Sequence, residues 1–96
     1  MPETYLTQSP RVAWRVYDGE AVVLSPDDST LNTLNSVGTL IWESADGMTP
    51  VSAIVARICE EFAVDPERAG RDTLAFIATL RVRGLVTVSE TIPQAR

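Results

Sequence analysis

Residues 12–34 have the sequence VAWRVYDGEAVVLSPDDSTLNTL, which predicts three short antiparallel strands. Asp18-Gly19 interrupts the first periodic stretch and suits a two-residue type I′ turn, because both central positions of that turn need a positive φ. Pro26-Asp27-Asp28 predicts a second turn, and residues 29–34, rich in threonine and leucine, predict a third strand. In a simple meander, the outer edge of this third strand has no partner. Such an edge is either an aggregation hazard or a binding site.

The hairpin formed by the first two strands is predicted to have one apolar face. In the register set by the two-residue turn, Trp14 lies opposite Val23 and Val16 lies opposite Ala21. The separation of faces is imperfect, since Val22 and Leu24 fall on the other, more polar face.

Three helices are predicted after the strands. Asn35 can cap the first, and Gly47 provides a stop for it. Thr49-Pro50 and Asp65-Pro66 are start signals for the second and third helices, and the third runs to Gly84. Residues 85–88 predict a short strand or wing. We therefore predict one α+β domain of order βββααα over residues 1–96, with its core at about 12–88 and flexible segments at 1–11 and 91–96.

The composition is that of one ordinary globular domain, with 96 residues, of which 45% are hydrophobic and 22% are charged. Cys59 is the single cysteine, so no internal disulfide can form, which favours a reducing compartment. The first ten residues have no apolar signal-peptide region, and no stretch approaches the roughly 18 consecutive apolar residues of a membrane span. We expect a cytoplasmic protein with no membrane partner.

The charge pattern argues against nucleic acid as a partner. The formal net charge is −5, and phosphate contacts set the affinity of most nucleic-acid-binding proteins. Acidic neighbours accompany the arginines of the C-terminal half, so we interpret these arginines as parts of solvated helix faces. They stand at positions 57, 68, 71, 81 and 83.

The sequence contains none of the usual arrangements of residues that carry catalysis or hold metals. There is no histidine, which removes the commonest general base and metal ligand. Cys59 stands alone beside the core stripe of the second helix, and Asp27-Asp28 is explained by the turn. The five glycines are isolated and form no phosphate-binding loop. We expect no enzymatic activity, no catalytic residue, no cofactor and no metal.

The third helix offers a candidate wall for a groove. Its main apolar stripe includes Phe76 and centres near Leu80. Leu74 and Ala78 lie on an adjacent strip. This strip is either simply exposed, as single leucines often are, or one side of a shallow groove. In the second interpretation, a peptide pairs with the edge of the third strand while its apolar side chains contact Leu74. Arg71 and Arg81 then pair with acidic residues of the peptide.

An ordered series of caps, glycines and apolar positions spans roughly residues 12–88 and resembles the PqqD family. The resemblance implies a winged-helix-like fold, in which a three-stranded antiparallel sheet is followed by a three-helix bundle. The series comprises Leu34-Asn35, Gly38, Ile41-Trp42-Glu43, Asp46-Gly47, Thr49, Ile54, Phe62, Val64-Asp65, Asp72, Phe76, Leu80 and Gly84-Leu85-Val86.

The same resemblance implies a peptide chaperone without catalytic activity. Such a protein binds the leader of a ribosomally made precursor peptide as an extra strand between the third strand and the third helix. It then presents the precursor to a modifying enzyme. That enzyme is a radical S-adenosylmethionine protein in the pathway to the coenzyme PQQ, or a leader protease in lasso-peptide pathways.

Carried over residue by residue, the resemblance implies two sets of peptide-binding residues. Leu31 and Leu74 are the main candidates for apolar contact. Relatives often have aromatic residues in the third strand, where this sequence has Leu31-Asn32. The third strand contributes Thr30, Leu31, Asn32 and Thr33, and the third helix contributes Arg71, Leu74, Ala75 and Ala78.

Two other functions stay open at this point. A winged helix-turn-helix that binds DNA would have a similar fold, although the net charge opposes it. A docking or dimerisation module without peptide binding is the second alternative, because an open strand edge can pair two copies in a homodimer.

Overall fold

The computed structural model describes residues 4–25 and 29–90. The predicted turn at Pro26-Asp27-Asp28 and the predicted flexible tail at 91–96 lie outside these residues. The predicted α+β class is confirmed, but the element order is longer than βββααα. It is β1 Tyr5–Gln8, β2 Ala13–Tyr17, β3 Glu20–Leu24, β4 Leu31–Thr33, α1 Ser36–Glu43, β5 Asp46–Pro50, α2 Val51–Phe62, α3 Pro66–Val82 and β6 Val86–Ser89.

The first sheet has the strand order β2-β3-β4 and is antiparallel throughout. Asp18 and Gly19 have φ values of 52° and 81°, as a type I′ turn requires. Trp14 pairs with Val23, so the predicted turn, register and third strand are confirmed.

The second sheet has the strand order β5-β1-β6, and the sequence did not predict it. The expectation that residues 1–11 are flexible is wrong for Tyr5–Gln8. This strand pairs on both sides and buries Leu6 completely. Its partners lie far along the chain, so no local pattern of alternation reveals it. The predicted wing is confirmed as β6, which pairs with β1.

The turn that begins β5 depends on Asp46. Oδ1 of Asp46 accepts hydrogen bonds from the backbone N–H groups of Met48 at 2.9 Å and Thr49 at 2.8 Å. The Thr49 hydroxyl donates to Oδ2 at 3.1 Å. Helix α1 already ends at Glu43, so Asp46-Gly47 starts a strand and does not end the helix as predicted.

The helices begin where the capping signals predict. Oδ1 of Asn35 accepts a hydrogen bond from the N–H of Gly38 at 2.8 Å, and a carboxylate oxygen of Asp65 accepts from the N–H of Arg68 at 3.1 Å.

Cys59 is half-buried, as expected. In the described ranges, no helix is long and apolar enough to cross a membrane.

The core lies between the two sheets and the three helices. Trp42 is fully buried, and its ring meets that of Trp14 edge to face, with centroids 5.9 Å apart. Helix α3 buries one stripe in this core, and β1 contributes Leu6. The buried stripe of α3 comprises Ala69, Thr73, Ile77 and Leu80.

We predict that Leu6→Ala lowers the free energy of unfolding by about 2–5 kcal/mol, because it leaves a cavity around a fully buried side chain. Leu74→Ala removes the same atoms from a side chain that is 60% exposed, and we expect a change of no more than about 0.5 kcal/mol. Urea denaturation followed by circular dichroism measures both. Equal effects of the two substitutions would contradict the buried position of β1.

We also predict a pH dependence that Asp46 controls. The hydrogen bond from the backbone N–H of Met48, together with those from Thr49, lowers the pKa of the Asp46 carboxyl. The stabilisation is therefore complete above the pKa of the unfolded chain and is lost as the pH falls through the lowered folded-state value. Asp46→Asn should be less stable than wild type at neutral pH, and the difference should shrink on acidification. Denaturant titrations at a series of pH values measure the difference in unfolding free energy between wild type and Asp46→Asn. A difference that stays constant with pH would contradict the role given to Asp46.

Candidate functional site

The open edge of β4 presents unpaired main-chain groups. The N–H of Ser25 donates to the carbonyl of Thr30 at 2.9 Å, and the N–H of Leu34 donates to the carbonyl of Ala21 at 2.8 Å. In an antiparallel pair, only alternate residues bond to the neighbouring strand. The N–H and C=O groups of Leu31 and Thr33 therefore point away from β3. Since β4 is the outer strand of its sheet in the described residues, these groups face an empty edge.

An apolar groove begins at Thr33, the last residue of β4, and lies between α1, α3 and the C-terminal part of α2. Its cavity volume is about 620 Å³. The apolar lining includes Leu34 at the end of β4, Val37 and Ile41 on α1, and Phe76 on α3. Polar side chains border it at Asp65, Arg68 and Asp72, and Arg68 pairs with Asp72 at 3.5 Å.

Gly38 brings Phe76 close to α1. A Cβ at position 38 would lie only 3.0 Å from Cζ of Phe76 and 3.3 Å from the capping oxygen of Asn35. Close packing therefore explains this glycine, although glycine costs about 1 kcal/mol relative to alanine inside a helix. At Gly70 no atom lies within 4 Å of such a Cβ, and the structure gives no packing reason for that glycine.

The hydroxyl of Thr39 fixes the angle between α1 and the first sheet. It accepts a hydrogen bond from the N–H of Ala21 on β3 at 2.7 Å and donates to the carbonyl of Leu34 at 3.4 Å. Thr39 is buried, so water does not compete for these groups. The end of β4 is thereby held against the start of α1, where the groove begins.

Asn32 and Arg83 connect β4 to the end of α3. The side chain of Asn32 is buried, and its Nδ2 donates to the carbonyls of Val23 at 3.2 Å and Thr30 at 3.3 Å. Its Oδ1 accepts a hydrogen bond from Nη1 of Arg83. The guanidinium therefore lies next to the open edge of β4.

The structure separates the residues that the sequence grouped together. Thr33 lines the groove, and Asn32 lies beside it through its bond to Arg83. Leu31 pairs with Leu24 on the exposed face of the sheet and is 65% exposed. Thr30, Arg71 and Ala75 are exposed as well.

Leu74 and Ala78 lie on the other flank of α3. They line a second hollow, together with Val51 and Val88, next to the second sheet. Leu31 and Leu74 therefore lie on different surfaces in this structure, and their contact with one peptide stays a prediction. The sequence assigned Phe76 to the buried stripe, but its ring is only partly buried and lines the groove. Val37 and Asp72 were not recognised as groove residues, and no local signal marked them.

The family model of coenzyme PQQ synthesis protein D (PqqD) matches residues 20–86, well over half of the chain. The match begins at β3 and ends at the start of β6, so it includes both walls of the groove. None of the curated proteins matches the sequence significantly.

Two solved structures are similar to this chain. TbiB1 in complex with the TbiA(beta) leader peptide has a TM-score of 0.77 and 28% identity, and the alignment covers 94% of this chain and 99% of TbiB1. Lasso peptide synthetase B1 complexed with the leader peptide has a TM-score of 0.76 and 20% identity, over 85% of this chain and 96% of that one. The second likeness concerns the fold alone. With the family model matching from β3 to β6, the chain belongs to the PqqD family.

Proposed function

We propose that this protein binds the leader of a ribosomally made precursor peptide and presents the precursor to a modifying enzyme. The observation that carries the proposal is an open edge of β4 directly beside an apolar groove. The similarity to TbiB1, a protein in complex with a leader peptide, supports it over nearly the full length of both chains.

The leader would bind as a fourth strand of the first sheet. Its main chain would bond to the outward groups of Leu31 and Thr33, and each such hydrogen bond contributes about 0.5–1.5 kcal/mol net. Every second side chain would point to the core side of the sheet. One apolar side chain placed against Leu34, Val37 and Phe76 would add about 1.5–3 kcal/mol if it were fully buried.

The proposal places the chemistry on a partner. The sequence contains no histidine and a single cysteine, so this chain offers few of the groups that usually act in catalysis. A radical S-adenosylmethionine enzyme or a leader protease, acting in the cytoplasm, is the partner that we propose. The contacts proposed for the leader are the edge of β4 and the groove side of α3, and the Leu74 flank is left outside the site.

We predict that Thr33→Pro weakens leader binding about two- to tenfold, because proline removes an outward N–H that no residue of β3 uses. Fluorescence anisotropy with a labelled leader, taken from a precursor peptide encoded beside this gene, measures the affinity. The matched control is Val16→Pro on the opposite edge of the sheet. In the register of β2 and β3, the N–H of Val16 also points away from the neighbouring strand. The Val16→Pro control should therefore affect folding similarly but leave leader binding unchanged.

Equal losses of affinity in both proline variants would contradict strand addition at β4. The same conclusion would follow if Thr33→Pro bound the leader as tightly as wild type.

We also predict that Val37→Asp weakens binding of the same leader at least tenfold. The substitution places a carboxylate in the apolar lining of the groove. Position 37 lies in the first turn of α1, where aspartate is favourable for the helix, so the fold should be retained. Leu74→Asp adds the same charge on the other flank of α3 and should leave the affinity unchanged.

Calorimetric titrations of both variants separate the two candidate surfaces. Loss of binding in Leu74→Asp but not in Val37→Asp would favour the surface first suggested by the sequence and overturn the groove assignment.

A further inference from the structure

Arg83 is held at the open edge of β4 by a fixed acceptor. The side-chain amide nitrogen of Asn32 donates to the carbonyls of Val23 and Thr30, so the amide oxygen points away from them. That oxygen accepts from Nη1 of Arg83, which lies at the C-terminal end of α3. The guanidinium therefore lies between α3 and β4, on the face of the sheet to which Asn32 points.

The charge of Arg83 is not neutralised by the described part of the chain. The ion pairs found there are Arg57–Glu61 and Arg68–Asp72, each within one helix. A guanidinium carries five N–H donors, and the Asn32 oxygen is neutral. Arg83 is exposed, so its remaining donors are accessible to a ligand.

The register of an added strand determines which of its side chains meets Arg83. If the added strand runs antiparallel to β4 and bonds to Leu31 and Thr33, Asn32 occupies a position where facing side chains come closest, with Cβ atoms about 4.5–5.5 Å apart. The peptide residue opposite Asn32 would share its face of the sheet and point towards Arg83. The residue two positions along would lie opposite Leu34, at the apolar groove.

We propose that Arg83, positioned by Asn32, is a specificity-determining residue that selects an aspartate or glutamate in the bound strand. In an antiparallel bound strand, this carboxylate would stand two positions from the apolar side chain that occupies the groove. Arginine suits this role because its planar group can donate two parallel hydrogen bonds to one carboxylate. The inference rests on the proposed leader binding and specifies the sequence that the site prefers.

A phage-displayed library of random linear peptides provides the test. Wild type should enrich peptides with an acidic residue two positions from an apolar one. Arg83→Gln keeps a donor for Asn32 but removes the charge, and it should lose the acidic preference while retaining the apolar one. Arg81→Gln is the matched control, since it changes net charge equally but lies at the second hollow, and it should select the same peptides as wild type.

One enriched peptide then gives a quantitative test in which the peptide is changed as well as the protein. Replacing its acidic residue with the corresponding amide should weaken binding to wild type about tenfold and leave binding to Arg83→Gln nearly unchanged. Anisotropy measures all four affinities.

A failure of the proposed role of Arg83 can be told apart from a failure of leader binding. Enrichment of apolar peptides without an acidic position, or an unchanged acidic preference in Arg83→Gln, would overturn the role of Arg83 and leave leader binding intact. If wild type enriches no peptide, the proposed function fails, and the inference fails with it.

Discussion

The buried hydroxyl of Thr39 joins the three elements on which the candidate site depends. It bonds to Ala21 on β3 and to the carbonyl of Leu34 after β4, while belonging itself to α1. Because both bonds lie in the core, the strand and the helix cannot shift separately without leaving a polar group unpaired. The groove and the open edge are thus held in one fixed relation, which suits a ligand that must use both. Such preorganisation reduces the entropy lost on binding.

Sequence patterns predicted the turns and helix starts that depend on residues close together in the chain. The turn at Asp18-Gly19 and the caps at Asn35 and Asp65 each depend on residues within a few positions of one another, and all three are present. Strand β1 was missed because its pairing with β5 and β6 joins distant parts of the chain. The position of Leu74 beside the second sheet could not be predicted for the same reason. The spacing of apolar residues along α3 identifies its buried stripe. It does not show that the flank with Leu74 faces the second sheet, which leaves the opposite flank for the groove.

The open edge of β4 is short, and this limits unwanted pairing. With three residues in the strand, a second copy could bond to few main-chain groups, and short edges are one way in which proteins avoid aggregation. A peptide that also fills the groove gains apolar burial that a second β4 strand would not obtain. The same edge can therefore discriminate between a leader and another copy of the protein.

The central position of β1 also constrains how the chain reaches its native state. Leu6 pairs with Val88, so β1, which also pairs with β5, gains its second partner only after nearly all the described residues that follow it have been synthesised. Pairings this distant in sequence raise the contact order and slow folding. Until β6 emerges, the side chain of Leu6 lacks its final burial, and the nascent chain exposes this one apolar side chain within the YLTQ strand.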